Sequence, residues 1–239
     1  CRTILGNLYY RSMKIIVAGS TSYIAKEFID IVSKKYDVIA LVRSLEKEGK
    51  NKRSRIEHLV VDYENQEFSI LEQFIKKGEK LVFINFSTLS IDKLFINQNL
   101  QSFVDVHKAN FLSNINPLLF LINKMISAKW GRILFISSSR AIKGDIGISP
   151  YTSSKLALSG LSRVLSQEYA KFNITSNVLN LGYFDSPLWQ QIPKRKRTEL
   201  LQQVPSKVMG QPQDLIPIFE CLIESDYING SEISVDGGL

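Results

Sequence analysis

The chain has 239 residues, which is the size of one large α/β domain with a substantial core. Apolar residues make up 44% and charged residues 22%, and this balance excludes a disordered or fibrous protein. The net charge of +7 comes largely from Lys47–Arg55 and Lys194–Arg197, which lack interleaved aromatic residues, so we expect solvated surfaces and no nucleic-acid partner. No apolar run approaches the roughly 18 residues of a membrane span, so we expect no membrane association. Two cysteines give no disulfide framework, which predicts a cytoplasmic protein.

The first twelve residues, Cys1–Ser12, are interpreted separately from the rest of the chain. Met13 is followed at once by an apolar strand pattern, and Gly6–Ser12 resembles a viral-protease cleavage site used in expression tags. We therefore expect residues 1–12 to be a tag remnant and residues 13–239 to form a single domain.

Beyond Met13, short apolar runs alternate with longer amphipathic stretches. Seven runs predict buried parallel strands: Ile15–Ala18, Val38–Val42, Leu59–Val61, Leu81–Asn85, Ile133–Ser137, Ser176–Leu179 and Ile233–Val235. Five stretches predict helices: Tyr23–Lys34, Gln66–Lys77, Phe103–Ser127, Tyr151–Phe172 and Pro212–Glu224. This alternation predicts a single-domain, Rossmann-type α/β fold, with a doubly wound parallel sheet of about seven strands and helices on both faces. The charged, weakly patterned segment Phe184–Gly210 is predicted to be a substrate lid.

The turn after the first strand has features of a phosphate-binding loop. Gly19 allows a sharp bend, and the hydroxyl run Ser20, Thr21 and Ser22 precedes a predicted helix. A helix N-terminus favours an anion, and small residues let a phosphate approach the backbone. The alternative is an ordinary strand–turn–helix with a serine cap.

Tyr151 and Lys155 lie four residues apart at the start of a strong helical pattern, so their side chains share one helix face. A tyrosine that donates a proton near neutral pH must titrate well below its free pKa of about 10. A neighbouring ammonium favours the phenolate and lowers that pKa. This pair therefore indicates acid–base chemistry, although such a spacing also arises by chance on surface helices.

Two further polar residues strengthen this interpretation. Ser138 lies thirteen residues before Tyr151, at the end of a predicted strand and therefore at the edge of the sheet where ligands bind. Asn110 lies within a long helical pattern, where an amide is mildly unfavourable.

Asn110, Ser138, Tyr151 and Lys155 together resemble the Asn-Ser-Tyr-Lys tetrad of the short-chain dehydrogenase/reductase family. The resemblance extends to Gly131-Arg132-Ile133 before the serine strand, to Asn177–Gly182, and to the ending Val235-Asp236-Gly237-Gly238. It covers essentially Met13 to Leu239 in order and spacing. It implies an enzyme that moves a hydride between a nicotinamide cofactor and a carbonyl or alcohol, without a metal.

The resemblance also implies a role for each member of the tetrad. Tyr151 would be the general acid in reduction and the general base in oxidation. Lys155 would lower the pKa of the tyrosine and hold the nicotinamide ribose. Ser138 would orient and polarise the carbonyl, and Asn110 would support a water relay behind the lysine.

Further cofactor contacts follow from matching positions. Asp62 would bond the adenine, and Gly182, Phe184 and Ser186 would lie beside the nicotinamide amide. The remaining candidates lie in the first turn and after the next strands: Gly19, Ser20, Thr21, Ser22, Tyr23, Ile24, Arg43, Ser44, Tyr63, Asn85 and Ser87.

Five positions depart from the family pattern. In the phosphate-binding turn, Tyr23 replaces the second glycine and would crowd the pyrophosphate unless its side chain turns outward, and Ala25 replaces the third glycine. Phe86 and Thr88 stand in the usual Asn-Asn-Ala-Gly segment, and Leu181 replaces a proline. These departures put the local geometry of cofactor binding in doubt.

The end of the second strand favours NADP(H) over NAD(H). An NAD site usually has a carboxylate there, which accepts hydrogen bonds from the ribose and repels a 2′-phosphate. This chain has Val42, followed by Arg43, whose guanidinium can pair with a phosphate, and Ser44.

The sequence thus predicts an NADP(H)-dependent carbonyl reductase or alcohol dehydrogenase acting on a small molecule. A sugar-nucleotide ketone and a ketoacyl conjugate stay open as substrates, and the basic run Lys194–Arg197 could meet either anion. The alternative is a nucleotide-sensing or scaffold protein that kept the fold and lost turnover. Apolar residues on the long helices, namely Phe111, Leu118, Leu119, Leu158 and Leu161, predict a homodimer or homotetramer.

Overall fold

The computed structural model describes residues 13–44, 55–63 and 68–239, with the side chain of Leu188 excepted. The predicted tag remnant 1–12 and nearly all of the basic stretch 47–55 lie outside the described residues.

Seven parallel strands form one sheet in the order β3-β2-β1-β4-β5-β6-β7, as the sequence predicts. Their bounds are β1 Met13–Ala18, β2 Asp37–Val42, β3 Ile56–Val60, β4 Lys80–Asn85, β5 Gly131–Ser138, β6 Ile174–Leu181 and β7 Glu232–Val235. The order reverses between β1 and β4. In a doubly wound sheet, ligands bind beyond the carboxyl ends of the strands at such a reversal.

Eight α-helices connect these strands in the described part of the chain. They are α1 Tyr23–Val32, α2 Leu100–Asn110, α3 Ile115–Ala128, α4 Ser139–Lys143, α5 Ser149–Tyr169, α6 Pro187–Gln191, α7 Lys194–Gln203 and α8 Leu215–Glu224. Short 3-10 turns lie at Phe68–Gln73, Phe95–Asn97, Leu112–Asn114, Ala170–Phe172 and Pro212–Asp214.

The predicted helix Phe103–Ser127 is wrong as one continuous element. It is divided into α2 and α3 by the 3-10 turn Leu112–Asn114. Pro117 has no amide proton and is tolerated only in the first turn of a helix, which is where α3 places it. The side-chain amide of Asn114 donates to the carbonyls of Asn110 (3.1 Å) and Phe111 (2.9 Å), which stabilises the break.

Two other helix predictions need correction. In place of Gln66–Lys77, the described residues contain only the 3-10 turn Phe68–Gln73, whose buried Phe68 and Leu71 lie three residues apart, the spacing of that turn. In place of one helix over Pro212–Glu224, a 3-10 turn precedes α8. Pro217 then falls in the first turn of α8, where its missing amide costs nothing.

A separate apolar core covers each face of the sheet. Alternate residues of β1 point to opposite faces, so Ile15 and Val17 pack with α1 and α8, whereas Ile16 packs with α3 and α5. Because both faces are covered, functional groups can reach ligands only at the strand ends.

The 184–210 segment leaves the sheet after β6 and returns to its starting point. A parallel bridge joins Phe184 and Gly210, with the Asp185 amide donating to the Gly210 carbonyl (2.9 Å) and the Gly210 amide to that of Tyr183 (2.9 Å). The segment contains α6 and the exposed α7.

Within the described ranges, no helix combines the length and apolar character needed to cross a bilayer.

Candidate active site

A cavity of about 430 Å³ lies at the carboxyl ends of β1, β2, β3 and β4, where the strand order reverses. It is lined by Gly19, Thr21, Ser22, Leu41, Val42, Arg43, Ser44, Tyr63, Phe86, Ser87, Thr88, Leu89 and Ala109. Among the described residues, none of those that line it carries a carboxylate. The cavity therefore presents one guanidinium, several hydroxyls and backbone amides, a set of donors suited to an anionic ligand.

Gly19 is required by the turn after β1. Its φ is +64°, a left-handed conformation that side chains rarely adopt. A Cβ atom there would lie only 2.3 Å from the backbone nitrogen of Ser87. The absence of a side chain therefore lets the first turn pack directly against the loop after β4.

The three hydroxyl residues of this turn have different roles, because Ser20 stabilises the fold whereas Thr21 and Ser22 line the cavity. Ser20 is buried and donates to the Leu41 carbonyl (2.8 Å), which joins the turn to β2. Ser22 caps α1 by accepting from the Ala25 amide (3.3 Å), and it also lines the cavity with Thr21. Both the serine-cap reading and the ligand-facing reading of the sequence are therefore compatible with this geometry.

Tyr23, the residue most at odds with the family pattern, is 40% exposed and does not line the cavity. Ile24 packs against the apolar core instead of the cavity. The steric crowding by Tyr23 that the sequence raised is thus not present in this conformation.

Of the four contacts predicted after β2 and β3, three line the cavity and one does not. Arg43, Ser44 and Tyr63 line the cavity, whereas Asp62 is exposed and lies outside its lining. The amide of Val61 donates to the Val42 carbonyl (2.8 Å), so the two strand ends stay paired to this point.

Lys155 is buried in α5, with 2% of its surface exposed. Its Nζ donates to the carbonyls of Ser87 (3.0 Å) and Ile136 (2.9 Å). Burial lowers the pKa of this amine to about 7, because the charged form loses its hydration. Since Ser87 also lines the cavity, Lys155 connects the cavity to the tyrosine helix.

Tyr151 lies in the first turn of the same helix, after Pro150. The Nζ of Lys155 lies 5.9 Å from the centroid of the Tyr151 ring. Ser138 is the last residue of β5 and is buried beside the start of α4. The carbonyl that holds Lys155 comes from Ile136 on the same strand, so β5 and α5 bring the three groups to one edge of the sheet.

Asn85 fixes the loop that holds Lys155. Its Oδ1 accepts from the Ser87 amide (2.6 Å), and its Nδ2 donates to Asn114 Oδ1 (2.9 Å) and Ser113 Oγ (3.2 Å). The buried side chain therefore orients Ser87, whose carbonyl accepts from the lysine. Asn85 thus stabilises the loop that contacts Lys155 and does not itself line the cavity.

Asn110 performs a similar structural task at the end of α2. Its side chain accepts from the Leu89 amide (2.6 Å) and donates to the Leu89 carbonyl (2.9 Å) and to Ser154 Oγ (2.9 Å). It thus joins a cavity-lining loop to the helix that carries Tyr151 and Lys155. The expected water relay behind Lys155 stays a prediction.

The candidates after β6 lie at the same sheet edge, outside the cavity lining. Gly182 packs so closely on Asp236 that an added Cβ would lie 2.6 Å from its Cα. Phe184 is buried in the core, and Ser186 caps α6 by accepting from the Trp189 amide (3.2 Å). Their predicted contact with the nicotinamide amide stays a prediction.

Phe86 and Leu181, which also depart from the family pattern, are buried in the core. Phe86 is buried, and its ring lies 5.3 Å from that of Phe28. Leu181 is likewise buried in the cluster on the α1 face. These apolar residues fill core space on the α1 face.

Sequence reasoning missed Asn114, which holds both Asn85 and the break between α2 and α3. The signal was available, because an amide one helical turn beyond Asn110 is as unfavourable in an apolar helix as Asn110 itself. Thr88, Leu89 and Ala109 were also missed as cavity residues, and their residue types carry no such signal.

A second cavity, of about 230 Å³, lies between the end of β7 and the 184–210 segment. Tyr183, Val208 and Met209 line it together with the carboxylates Asp214 and Asp236. Asp214 accepts from the Gln211 amide (2.7 Å), and Asp236 accepts from the Ser139 hydroxyl and the Gly238 amide (2.9 Å).

Comparison with known proteins gives consistent results. Residues 14–197 match the family described as short chain dehydrogenase. A 3-oxoacyl-[acyl-carrier-protein] reductase of Aquifex aeolicus is 25% identical over 243 aligned positions, which cover 100% of this chain and 92% of that protein. The Rickettsia conorii protein of the same name is 32% identical over 172 positions, covering 69% and 70%.

Among solved structures, a gluconate 5-dehydrogenase from Burkholderia cenocepacia, in complex with NADP and tartrate, superimposes with a TM-score of 0.87. The match covers 96% of this chain and 95% of that one at 20% identity, so it supports the fold. The matched residues 14–197 include all of β1 except Met13, the residues that line the first cavity, and Asn110, Ser138, Tyr151 and Lys155. The chain therefore belongs to the short-chain dehydrogenase family and is an oxidoreductase of that family.

Proposed function

We propose that the protein is an NADP(H)-dependent carbonyl reductase, working as an alcohol dehydrogenase in the reverse direction, with Tyr151 as the general acid and base. The observation that carries this proposal is the buried Lys155, which lies beside the Tyr151 ring and donates to a carbonyl of the cavity wall.

The chain's own residues perform the proton chemistry in this proposal, and a bound nicotinamide supplies the hydride. The Tyr151 hydroxyl donates a proton to the carbonyl oxygen of the substrate. Ser138 donates a hydrogen bond to the same oxygen and holds it in place. Lys155, when protonated, stabilises the phenolate that remains.

NADP(H) fits the first cavity better than NAD(H). The cavity has Arg43 and Ser44 at the end of β2, and among its described lining residues there is no carboxylate to repel a 2′-phosphate. Gly19, Thr21 and Ser22 would hold the rest of the nucleotide near the start of α1. The buried hydroxyl of Tyr63, a residue of the cavity wall, adds a further donor.

For the substrate we propose a 3-oxoacyl thioester or related ketoacyl conjugate. The names of the Aquifex and Rickettsia relatives support this class over a sugar-nucleotide ketone. The 184–210 segment would form the lid over this substrate. An exposed free thiol at Cys221 is consistent with a cytoplasmic setting.

We also propose a homodimer or homotetramer. The expected surface needs correction: Leu118 and Leu158 are buried in the core, and Phe111 and Leu161 pack against it. Leu119 is 64% exposed, and the exposed apolar residues Leu112, Leu156 and Val164 accompany it on or beside the same helices. These residues leave an apolar surface on α3 and α5 for a second subunit.

Sedimentation tests the assembly. We expect a dimer or tetramer at micromolar concentration, and Leu119→Glu should shift it toward monomer because a buried charge is costly. Val208→Glu, at another exposed apolar site, is the control. A monomeric unmutated protein would contradict the proposal.

The catalytic proposal is tested with Tyr151→Phe. We expect turnover of acetoacetyl-CoA with NADPH to fall by about a hundredfold or more, because the proton donor is removed. NADPH affinity should stay within a few-fold. Tyr169→Phe, at the end of the same helix, should be active. Equal activity in Tyr151→Phe would overturn the assignment, and tight NADPH binding without turnover of thioesters or sugar-nucleotide ketones would favour a sensor.

A further inference from the structure

Tyr63 lies three residues beyond the end of β3 and lines the first cavity together with Gly19. Its backbone is held in place because Asn116 Nδ2 donates to the Tyr63 carbonyl (2.9 Å). Its ring packs against the core, with its centroid 5.9 Å from that of Phe68. The position of the phenol is thus set by the fold.

The hydroxyl of Tyr63 is buried beside the backbone of Gly19. Among the residues that the structure describes, it has no hydrogen-bond partner of good geometry. Burial raises the pKa of this phenol above its ordinary value, so it stays protonated and able to donate. A buried donor without an acceptor is costly, and a ligand in the neighbouring cavity would supply the missing acceptor.

The surroundings of this hydroxyl identify the kind of acceptor. The positive charge of Arg43 is close enough to act on the phenol, and Ser44 lines the same cavity. One guanidinium side chain and two hydroxyl-bearing side chains thus line the same space, with no carboxylate in the described lining, and this set matches the oxygens of a phosphate.

We propose that Tyr63 is a specificity-determining residue, whose hydroxyl donates to the 2′-phosphate of an adenosine nucleotide together with Arg43. The proposal rests on the proposed use of NADP(H) and adds a second residue that recognises the phosphate, located after β3, whereas Arg43 follows β2. Because the ring fills core space, only the hydroxyl distinguishes phosphorylated from unphosphorylated ribose.

The test is titration calorimetry with Tyr63→Phe, using adenosine 2′,5′-bisphosphate, ADP and inorganic phosphate as probes. Loss of one hydrogen bond to a charged group should weaken the bisphosphate about tenfold. Affinity for ADP should stay within about twofold, since it lacks the 2′-phosphate. Tyr36→Phe, a buried tyrosine outside the cavity lining, is the matched control and should bind both nucleotides normally.

Thermal unfolding of the free protein separates binding from folding. Removal of a buried hydroxyl that makes no hydrogen bond should leave the midpoint of Tyr63→Phe unchanged or raised. An unchanged affinity for the bisphosphate, or equal weakening of bisphosphate and ADP, would overturn the role of Tyr63. Inorganic phosphate bound as tightly as the bisphosphate would also overturn it. If the unmutated protein binds neither nucleotide, the proposed cofactor itself is wrong.

Discussion

The two cavities at the carboxyl edge of the sheet differ in charge and in construction. The first has Arg43 and a wall of hydroxyls, and buried side chains such as Asn85 and Ser20 fix its loops. The second has two carboxylates and apolar residues, and one of its sides is the 184–210 segment. The charges of the first cavity therefore complement the proposed anionic nucleotide, whereas the two carboxylates of the second would repel a phosphate.

The two cavities also differ in how rigidly their walls are held. The first cavity depends on Gly19, where a Cβ would collide with backbone, and on the Lys155 contacts to two carbonyls. The exposed helix α7, by contrast, buries none of its residues. Chemistry common to a family is best placed on rigid elements, and features that vary are best placed on loops.

Among the changes that test this difference between the cavities, Arg43→Ala should have the largest effect on ligand affinity. Loss of a charge-assisted contact should weaken NADPH by roughly ten- to a hundredfold and leave NADH nearly unchanged. Titration calorimetry of both cofactors provides the measurement. Arg55→Ala is the control, because Arg55 lies at the opposite end of these strands, where its carbonyl accepts from Val38. Equal affinities of the unmutated protein for NADPH and NADH would show that Arg43 does not read the phosphate.

A smaller effect concerns the pH dependence of stability. Burial lowers the pKa of Lys155 to about 7 in the folded protein, against about 10.4 in the unfolded chain. Between these values only the unfolded chain holds the proton, so the free energy of unfolding rises with pH across that window. Below pH 7 both states are protonated, and the contribution of Lys155 is constant at its least favourable value.

Lys155→Met removes the titrating amine and keeps an apolar side chain of similar length. The difference in thermal midpoint, unmutated protein minus variant, should therefore increase steadily between pH 7 and pH 10, measured without cofactor. It should be flat below pH 7. A difference that is independent of pH over the whole range would contradict a buried, uncharged lysine.

The smallest effect is expected in the basic run of α7. Arg195 and Lys196 both pair with Glu199, at 3.2 and 3.9 Å, so they are largely engaged on the surface of their own helix. The double variant Arg195→Gln, Lys196→Gln should therefore change KM for a ketoacyl-CoA by no more than about twofold. A KM increase of tenfold with unchanged NADPH affinity would show instead that the run meets an anionic substrate.

Much of the fold could be predicted from periodicity. The seven strands are continuous apolar runs, because both faces of a parallel sheet are buried, and such runs are easily recognised. The division of α2 from α3 was missed because the apolar pattern continues through it. The reason is backbone chemistry at Pro117 and the side-chain bonds of Asn114, which periodicity does not record.

The candidate site was predicted less evenly. Arg43, Ser44, Thr21 and Ser22 are found in the cavity lining, whereas Asn110 and Asn85 hold loops rather than face the cavity. A sequence shows that an amide is costly in an apolar setting, but it does not show whether the amide faces a ligand or another loop. That choice depends on contacts between distant residues, such as Asn85 with Asn114.

The paired ends of the 184–210 segment have an evolutionary consequence. Since Phe184 and Gly210 are already bridged, the chain between them can lengthen, shorten or change sequence at a small entropic cost to the rest of the protein. A descendant gene could exchange this excursion as a unit, and under the proposed lid role it would acquire a new substrate range while Ser138, Tyr151 and Lys155 stay unchanged. The bridge makes the segment a natural site for grafting between relatives.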